Sequence, residues 1–238
     1  MGRTEGVAAA LRRWDRRTAA GVHHFVAISR FVADRIRRAY GRQADVIYPP
    51  VDVSRFRVEE SPGDFYLVVS ALAPYKRVDL AVEAANLLGR RLVIVGTGTE
   101  EGRLRAMAGS TVEFLGWRDD AETADLYARC RALIFPTLED FGITPLEAMA
   151  AGRPVIALGQ GGALETVVPP GGSEPATGLF FERQSPESLA GAIRHFESGS
   201  VRFEPKALRR RAEAFDRPLF MERMESYLAA RWQEHVRC

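Results

Sequence analysis

The middle of the chain alternates short apolar runs with stretches of helical periodicity. The predicted strands are Phe65–Ser70, Arg91–Val95, Thr111–Leu115, Ala132–Phe135 and Pro154–Ala157. The predicted helices between them are Arg77–Leu88, Thr99–Met107, Ala121–Arg129 and Pro145–Ala150. Strands that are apolar throughout have both faces covered, so this alternation predicts an α/β fold with a doubly wound parallel sheet. Ligands of such sheets bind beyond the carboxyl ends of the strands.

The two ends of the chain show different patterns. Residues 7–20 predict an amphipathic helix with Leu11, Trp14 and Thr18 on one side and arginines on the other. The predicted elements that follow are a strand at 22–28, a helix at 30–40 closed by Gly41, a strand that begins at Val46 and runs into Pro49-Pro50, and a long helix at 219–235. We therefore divide the chain into segments 1–50, 51–215 and 216–238.

Charge is spread unevenly along the chain. The 238 residues carry a net charge of +2 and are 46% apolar, which is enough for one large core or two modest ones. Residues 1–42 hold ten arginines against three carboxylates, a local charge of +7, which leaves −5 for the remainder. A basic arm can contact nucleic acid or an anionic membrane, but we favour a solvated arginine face and expect no nucleic-acid partner.

The cysteines and the apolar runs bear on location. Cys130 and Cys238 have no pair-like spacing, which favours a reducing, cytosolic compartment with Cys130 as a small buried thiol. No run approaches the roughly 20 apolar residues that span a bilayer, and none follows the N-terminal arginines as in a signal peptide. We therefore expect a cytoplasmic protein, with peripheral contact at the inner face of the membrane as the alternative.

The motifs for nucleotides and metals are incomplete. Gly96-Thr97-Gly98 follows a predicted strand, but Glu101 stands where a dinucleotide fingerprint has its third glycine. The chain has no Gly-Lys-Ser/Thr phosphate loop, no Asp-x-Asp and no histidines at metal-ligand spacing. We therefore expect no metal and no cofactor, and we infer that lysine and main-chain N–H groups neutralise any bound diphosphate.

Two carboxylates stand eight residues apart around one predicted helix start. Glu139 lies on a turn, and Glu147 lies in the first helical turn. Thr144-Pro145-Leu146-Glu147 fits a capping box, in which Glu147 accepts a hydrogen bond from the N–H of Thr144. Glu147 fits equally well as an acceptor for the two hydroxyls of a ribose.

Glu139 also has two interpretations. It is either a solvated loop acid beside Asp140 or an acceptor for sugar hydroxyls. In the second interpretation, the N–H groups of Phe141, Gly142 and Ile143 lie near phosphate oxygens, where the positive end of the helix favours an anion. Gly142 permits the close approach of main chain and ligand.

Two cations open the predicted helix 77–88. The helix macrodipole disfavours positive charge there by roughly 0.3–1 kcal/mol for each cation. A phosphate partner would offset that cost, and we favour such a partner for Lys76. The alternative is that Lys76 and Arg77 are solvated, or that one of them pairs with Asp79.

Several of these motifs together resemble family 4 retaining glycosyltransferases. The run from Glu139 through Phe141-Gly142 to Glu147 looks like their donor-site signature. The matching segments are 70–80, 94–98, 112–117, 133–155 and 161–167. Members have the GT-B architecture, in which two Rossmann-like domains face a cleft. The resemblance therefore implies a Rossmann-like, nucleotide-sugar-binding domain at 51–215.

The resemblance implies a retaining, metal-independent transfer from a nucleoside diphosphate sugar to a glycan or lipid-linked acceptor. Lys76 and Glu139 are the implied catalytic residues, since Lys76 neutralises the departing diphosphate and Glu139 contacts the sugar. Glu147 binds the ribose, and the main chain near Trp117 meets the nucleobase. The implied donor-binding residues are Arg77, Gly96, Trp117, Phe141, Gly142, Ile143, Thr144, Leu146 and Glu147.

The chain departs from the family pattern in two respects. Ala71 stands where many members carry an arginine, and Arg77 is a candidate substitute for that phosphate contact. Segment 1–50 resembles only the last part of the acceptor domain with its linker, and 219–235 resembles the helix that crosses back to that domain.

The incomplete acceptor side leaves three functions open. The chain is the donor-binding half of a transferase, a binding module that is inactive without a partner acceptor domain, or a sugar phosphorylase or epimerase on the same fold. The apolar side of residues 7–20 implies contact with an acceptor-domain chain, a second copy of the chain or a membrane surface.

Overall fold

The computed structural model describes residues 2–237 and divides between Tyr48 and Pro49 into two compact units. In the first unit, two short parallel strands pair, with Val26 opposite Asp45. The elements of this unit are α1 (Gly2–Ala19), β1 (Val26–Ala27), α2 (Arg30–Tyr40) and β2 (Asp45–Val46). The predicted strand at 22–28 is thus only two residues long.

Helix α2 has well-defined caps at both ends. The Ser29 hydroxyl accepts a hydrogen bond from the N–H of Val32 at 3.0 Å. Gly41 adopts a left-handed conformation, with φ 67°, and its N–H bonds the carbonyl of Arg37. A residue with a side chain rarely adopts that conformation, so glycine ends the helix there. The prediction of a helix at 30–40 closed by Gly41 is confirmed.

The second unit is built on six parallel strands in the order β5-β4-β3-β6-β7-β8. The strands are β3 (Tyr66–Val69), β4 (Leu92–Val95), β5 (Val112–Gly116), β6 (Ala132–Phe135), β7 (Val155–Leu158) and β8 (Gly178–Phe181). The helices are α3 (Val78–Leu88), α4 (Glu101–Met107), α5 (Asp120–Arg129), α6 (Ile143–Ala150), α7 (Ala163–Thr166), α8 (Pro186–Glu197), α9 (Pro205–Glu213) and α10 (Arg217–Arg237). Short 3-10 turns occupy Val53–Arg55 and Pro74–Lys76.

The predicted doubly wound parallel sheet is confirmed. All five predicted strands and the four helices between them are present, with ends that differ by at most two residues. Strand β8 and helices α7 to α9 were not predicted. Strand β8 was missed because it has only four residues and follows a stretch rich in proline and glycine. The long C-terminal helix is confirmed as α10.

Both faces of the sheet are covered. Tyr66, Val68 and Ile94 belong to a buried cluster with side chains of α3 and α8. The strand residues between them, such as Leu67 and Val93, point to the opposite face and are also buried. This explains why the strands are apolar without alternation.

The strand order reverses between β3 and β6. Tyr66 of β3 pairs with Leu92 of β4 on one side and with Ala132 of β6 on the other. The chain therefore leaves the carboxyl ends of β3 and β6 in opposite directions. Such a switch point opens a crevice, and ligands of doubly wound sheets bind there.

A polar network lies at the opposite, amino-terminal edge of the sheet. The guanidinium of Arg90 donates to both oxygens of Glu197, at 2.8 and 2.9 Å. The buried hydroxyl of Tyr66 donates to Glu197 Oε1 at 3.0 Å, and Arg131 lies 3.5 Å from the same oxygen. The hydrogen bond from Arg90 is the main cause that lowers the pKa of Glu197.

We predict that Glu197→Gln lowers the free energy of unfolding by about 1–3 kcal/mol at pH 7, because charge-assisted hydrogen bonds are lost. The pKa of Glu197 is lowered in the folded chain, so this stabilisation is present above the unfolded-state pKa and disappears as the pH falls through the folded-state pKa. Urea unfolding at pH 7 and at successively lower pH measures both effects. The exposed Glu182→Gln is the control, and a Glu197→Gln deficit that does not shrink as the pH falls would contradict the prediction.

Candidate functional site

The two predicted catalytic residues meet at the switch point. Lys76 ends the 3-10 turn that follows β3, and Glu139 lies in the loop that follows β6. Lys76 Nζ forms an ion pair with Glu139 Oε1, and the two side chains are 21% and 23% exposed. Glu139 lies outside any helix or strand, in an irregular loop with no turn assigned at its position. The structure thus joins two charges that are 63 positions apart in the sequence.

The loops that carry this pair are also bonded to each other. Thr137, which is buried, donates its hydroxyl to the Tyr75 carbonyl at 3.2 Å and lies 3.4 Å from Glu139 Oε1. The Lys76 ammonium lies 5.2 Å from the centre of the Tyr75 ring, within the range of a cation–π contact. The pair therefore has a fixed main-chain frame around it.

Arg77 has a separate partner. Its guanidinium donates to both carboxylate oxygens of Asp79, with distances of 3.1 and 3.2 Å. Arg77 has φ 52° and precedes the first residue of α3, Val78, so the predicted helix begins one residue later. Of the two interpretations for these cations, pairing with Asp79 therefore describes Arg77. Its role in donor binding stays a prediction.

The predicted capping box at the start of α6 is wrong. The helix begins at Ile143 with Gly142 before it, and no side chain caps it. Gly142 has φ 87°, a conformation that lets the helix begin ahead of Thr144. Glu147 is then the fifth residue of the helix instead of the third, too far along for a capping box.

Glu147 is held by a buried tyrosine instead. The hydroxyl of Tyr127, on α5, donates to Glu147 Oε2 at 2.9 Å. Burial raises the pKa of Glu147, while the bond from Tyr127 and the charge of Arg55 act in the opposite direction. Arg55 in turn pairs with Asp120 at 2.9 Å. As a whole residue, Glu147 remains partly exposed.

The start of α6 supplies main-chain donors. Ile143 and Thr144 occupy the first turn, where N–H groups have no acceptor within the helix. The side chains of Phe141 and Leu146 are buried, and the Phe141 ring packs 5.8 Å from that of Phe215. Those two residues can therefore serve a ligand only through their main chain.

Gly96 and Trp117 lie at the carboxyl ends of β4 and β5. A side chain on Gly96 would overlap the carbonyl of Ser70, and φ there is 126°. The N–H of Gly96 bonds the Gly116 carbonyl at 2.8 Å. Trp117 is 72% exposed. Gly96 thus has a steric role between β3 and β4, and the donor-binding roles of both residues stay predictions.

Gly161 and Gly162 pack against the loop that carries Glu139. The N–H of Gly162 donates to the Glu139 carbonyl at 2.9 Å. A side chain on Gly162 would overlap the main chain of Phe141. We did not predict this contact, although the Gly161-Gly162 doublet after a strand was its sequence signal.

The remaining chemistry of the chain is limited. Cys130 is buried, as predicted, and burial raises the pKa of its thiol to about 12. Among residues 2–237, no group of three or more histidine, cysteine, aspartate or glutamate side chains is placed to hold a metal ion. No helix within the same range is long and apolar enough to cross a membrane.

Residues 53–215 match the family model of glycosyl transferases group 1, and the chain belongs to this family. It is 31% identical over 179 residues to O-antigen chain mannosyltransferase C of Escherichia coli, covering 68% of this chain and 47% of that protein. It is 32% identical over 210 residues to a GDP-mannose-dependent phosphatidylinositol monomannoside mannosyltransferase of Mycobacterium tuberculosis, covering 75% and 53%. The chain spans about half the length of these relatives.

Solved structures confirm the fold as that of GT-B glycosyltransferases. Sucrose-phosphate synthase from Thermosynechococcus elongatus superposes with a TM-score of 0.81 at 23% identity, covering 94% of this chain and 62% of that one. Anabaena HepE in complex with UDP-glucose superposes with a TM-score of 0.79 at 21% identity, covering 92% and 67%.

We predict that Gly162→Ala lowers the free energy of unfolding by about 1–3 kcal/mol, since the loop after β6 must shift to admit the methyl group. Gly191→Ala, in the middle of α8 where nothing lies within 4 Å of the new methyl group, raises it by about 0.5–1 kcal/mol. Thermal unfolding of both variants measures the contrast. Equal stability of Gly162→Ala and the unmodified chain would contradict the close packing of Gly162 on Phe141.

Proposed function

We propose that the chain binds a nucleoside diphosphate sugar at the switch point, as the donor-binding half of a retaining, metal-independent family 4 glycosyltransferase. The observation that best supports this is the ion pair of Lys76 and Glu139 between β3 and β6, with Glu147 on the helix that follows. A cation, a helix start and two carboxylates suit a ligand that carries both phosphates and hydroxyls.

Two of the similar proteins support this substrate class. The mannosyltransferase of Mycobacterium tuberculosis is described as GDP-mannose-dependent. The HepE structure contains UDP-glucose. Both compounds are nucleoside diphosphate sugars, the class of donor that we propose for this chain.

In the proposed complex, the Lys76–Glu139 ion pair separates and each side chain bonds the ligand instead. The Lys76 ammonium donates to the diphosphate, and the Glu139 carboxylate accepts hydrogen bonds from sugar hydroxyls. Glu147 accepts from the ribose, and the N–H groups of Ile143 and Thr144 donate to phosphate oxygens. Trp117 and Gly96 line the side of the nucleobase.

The proposed chemistry is a glycosyl transfer. The bond between the anomeric carbon and the diphosphate oxygen breaks, and its electron pair leaves with the nucleoside diphosphate. Lys76 and the first turn of α6 stabilise that developing charge. The acceptor hydroxyl oxygen bonds the anomeric carbon on the face from which the diphosphate departs, and its proton passes to the departing diphosphate oxygen, so the configuration is retained.

The absence of an arginine at position 71 makes Lys76 the main cation of this site. The methyl side chain of Ala71 offers no donor to a phosphate, and Arg77 is held by Asp79. Arg77 joins the site only if the diphosphate displaces that carboxylate. The donor phosphates therefore depend on Lys76 more than on Arg77.

Within this proposal, segment 51–215 binds the donor in the cytoplasm. Segment 1–50 belongs to the acceptor side with its linker, and segment 216–238 is the C-terminal part that follows the donor-binding segment. The acceptor is a glycan or a lipid-linked saccharide. Residues 7–20 contact an acceptor domain, a second copy of the chain or the inner face of the membrane.

The first test uses the two lysines of the chain, Lys76 and Lys206. We predict that Lys76→Ala weakens binding of UDP or GDP by roughly 10- to 100-fold, because a charge-assisted bond to phosphate is lost, and leaves binding of the free nucleoside unchanged. Calorimetry measures both ligands. Lys206 is exposed on α9, so Lys206→Ala is the matched control. Equal losses for nucleoside and nucleoside diphosphate would contradict the phosphate role.

A second candidate function is a nucleotide-sugar-binding module that is inactive without a partner acceptor domain. The family model matches residues 53–215, the segment that we propose binds the donor. Incubation of the purified chain with radiolabelled UDP-glucose and GDP-mannose, with added acceptors, separates the two. We expect transfer that continues in the presence of EDTA, with retained configuration by proton NMR.

The other outcomes of this incubation are equally specific. Binding without transfer or hydrolysis supports the module. Turnover that requires inorganic phosphate supports a phosphorylase. A product of inverted configuration would contradict the proposed reaction. Glu139→Gln, which keeps the size of the side chain but removes its charge, reports whether turnover arises at this site.

A further inference from the structure

Two buried tyrosines of this chain each donate a hydrogen bond to a carboxylate. Tyr66 bonds Glu197 at the amino-terminal edge of the sheet, within the network of Arg90 and Arg131. Tyr127 bonds Glu147, a residue of the candidate site, from α5. The same chemistry thus occurs once away from the site and once at it.

Tyr127 is held rigidly. Its side chain is fully buried, and its ring packs edge-on against Phe56 with the ring centres 5.7 Å apart. A buried hydroxyl requires a partner, and Glu147 Oε2 is that partner at 2.9 Å. Because the ring cannot move freely, its hydroxyl fixes one carboxylate oxygen of Glu147 in place.

The second carboxylate oxygen of Glu147 is in a different situation. Tyr127 donates to the Oε2 atom of the Glu147 carboxylate. Within residues 2–237, no hydrogen bond is made to its Oε1 atom. A carboxylate that is fixed through one oxygen presents the other in a defined direction. Preorganisation of this kind improves ligand binding, because less freedom is lost when the complex forms.

We propose that Tyr127 is a positioning residue for ribose recognition, which acts by holding the Glu147 carboxylate so that Oε1 accepts hydrogen bonds from the ribose hydroxyls. This inference rests on the proposed function and identifies a residue that sets its selectivity. Tyr127 itself does not contact the ligand.

The charged groups around Glu147 add a second consequence. Arg55, from the 3-10 turn, and Asp120, from the first residue of α5, face it along with Tyr127. Burial raises the pKa of Glu147, and the bond from Tyr127 counters that rise. Removal of the hydroxyl therefore raises the pKa of Glu147 further. Ribose recognition, which needs the carboxylate, then fails at a higher pH than in the unmodified chain.

The test compares two nucleotides that differ only in the ribose hydroxyls. Calorimetry gives the affinity of UDP and of GDP, each against its 2′,3′-dideoxy counterpart, between pH 5 and pH 8. We expect the unmodified chain to prefer the ribonucleotide by roughly tenfold or more. In Tyr127→Phe this preference falls roughly three- to tenfold, while dideoxynucleotide binding stays unchanged. The acid limb of the preference, which is the pH range over which the preference is lost on acidification, moves to higher pH.

Tyr66→Phe is the matched control, since it removes the other buried hydroxyl and keeps the ring. We expect it to lower stability without changing the ratio of the two affinities. Glu147→Ala, which removes both carboxylate oxygens, is the reference for complete loss of the preference. These variants separate an effect on the site from a general loss of packing.

Each outcome decides between the claims. A full ribose preference in Tyr127→Phe, or equal losses for both nucleotides, overturns the role of Tyr127 and leaves the proposed function standing. An unmodified chain that binds neither nucleotide, or shows no ribose preference, overturns the proposed function and this inference with it.

If Tyr127→Phe fails to fold, 3-fluorotyrosine at position 127, a stronger donor, is expected to move the acid limb to lower pH. An unchanged limb overturns the inference.

Discussion

The ion pair of Lys76 and Glu139 depends on one property of the sheet, the adjacency of β3 and β6 at the point where strand order reverses. Both charges are largely withdrawn from water, and such a pair gains little stability once desolvation is counted. We therefore infer that the value of the pair is functional. The two charges neutralise each other in the free protein, and a ligand with phosphates and hydroxyls satisfies both at once.

The surrounding main chain keeps that arrangement in place. Gly96 and Gly162 let neighbouring loops approach more closely than any side chain would allow. At the far end of α6, Arg209 of α9 donates to the carbonyls of Ala150 and Phe56, at 3.0 and 2.7 Å. A cation is favourable at a helix C-terminus. Helix α6 is thereby tied to the segment whose Phe56 packs on Tyr127.

Sequence predicts the features that depend on local pattern and misses those that depend on distant partners. The strands from 65 to 158 were predicted because buried parallel strands are apolar throughout. The sequence Thr144-Pro145-Leu146-Glu147 matches the pattern of a capping box. In the structure the helix begins earlier, directly after Gly142, and the Glu147 carboxylate accepts a hydrogen bond from Tyr127 instead. Tyr127 gave no signal of its own, because a tyrosine on an amphipathic helix is usually a core residue. The pairing of Lys76 with Glu139 required the strand order.

A crystal structure with an intact nucleoside diphosphate sugar tests the proposed donor site most directly. We predict that the diphosphate lies within hydrogen-bond distance of Lys76 Nζ and of the N–H groups of Ile143 and Thr144. We also expect the ribose hydroxyls to lie on Glu147 and Lys76 to have left Glu139. A diphosphate bound elsewhere, with the Lys76–Glu139 pair intact, would contradict the assignment of this site.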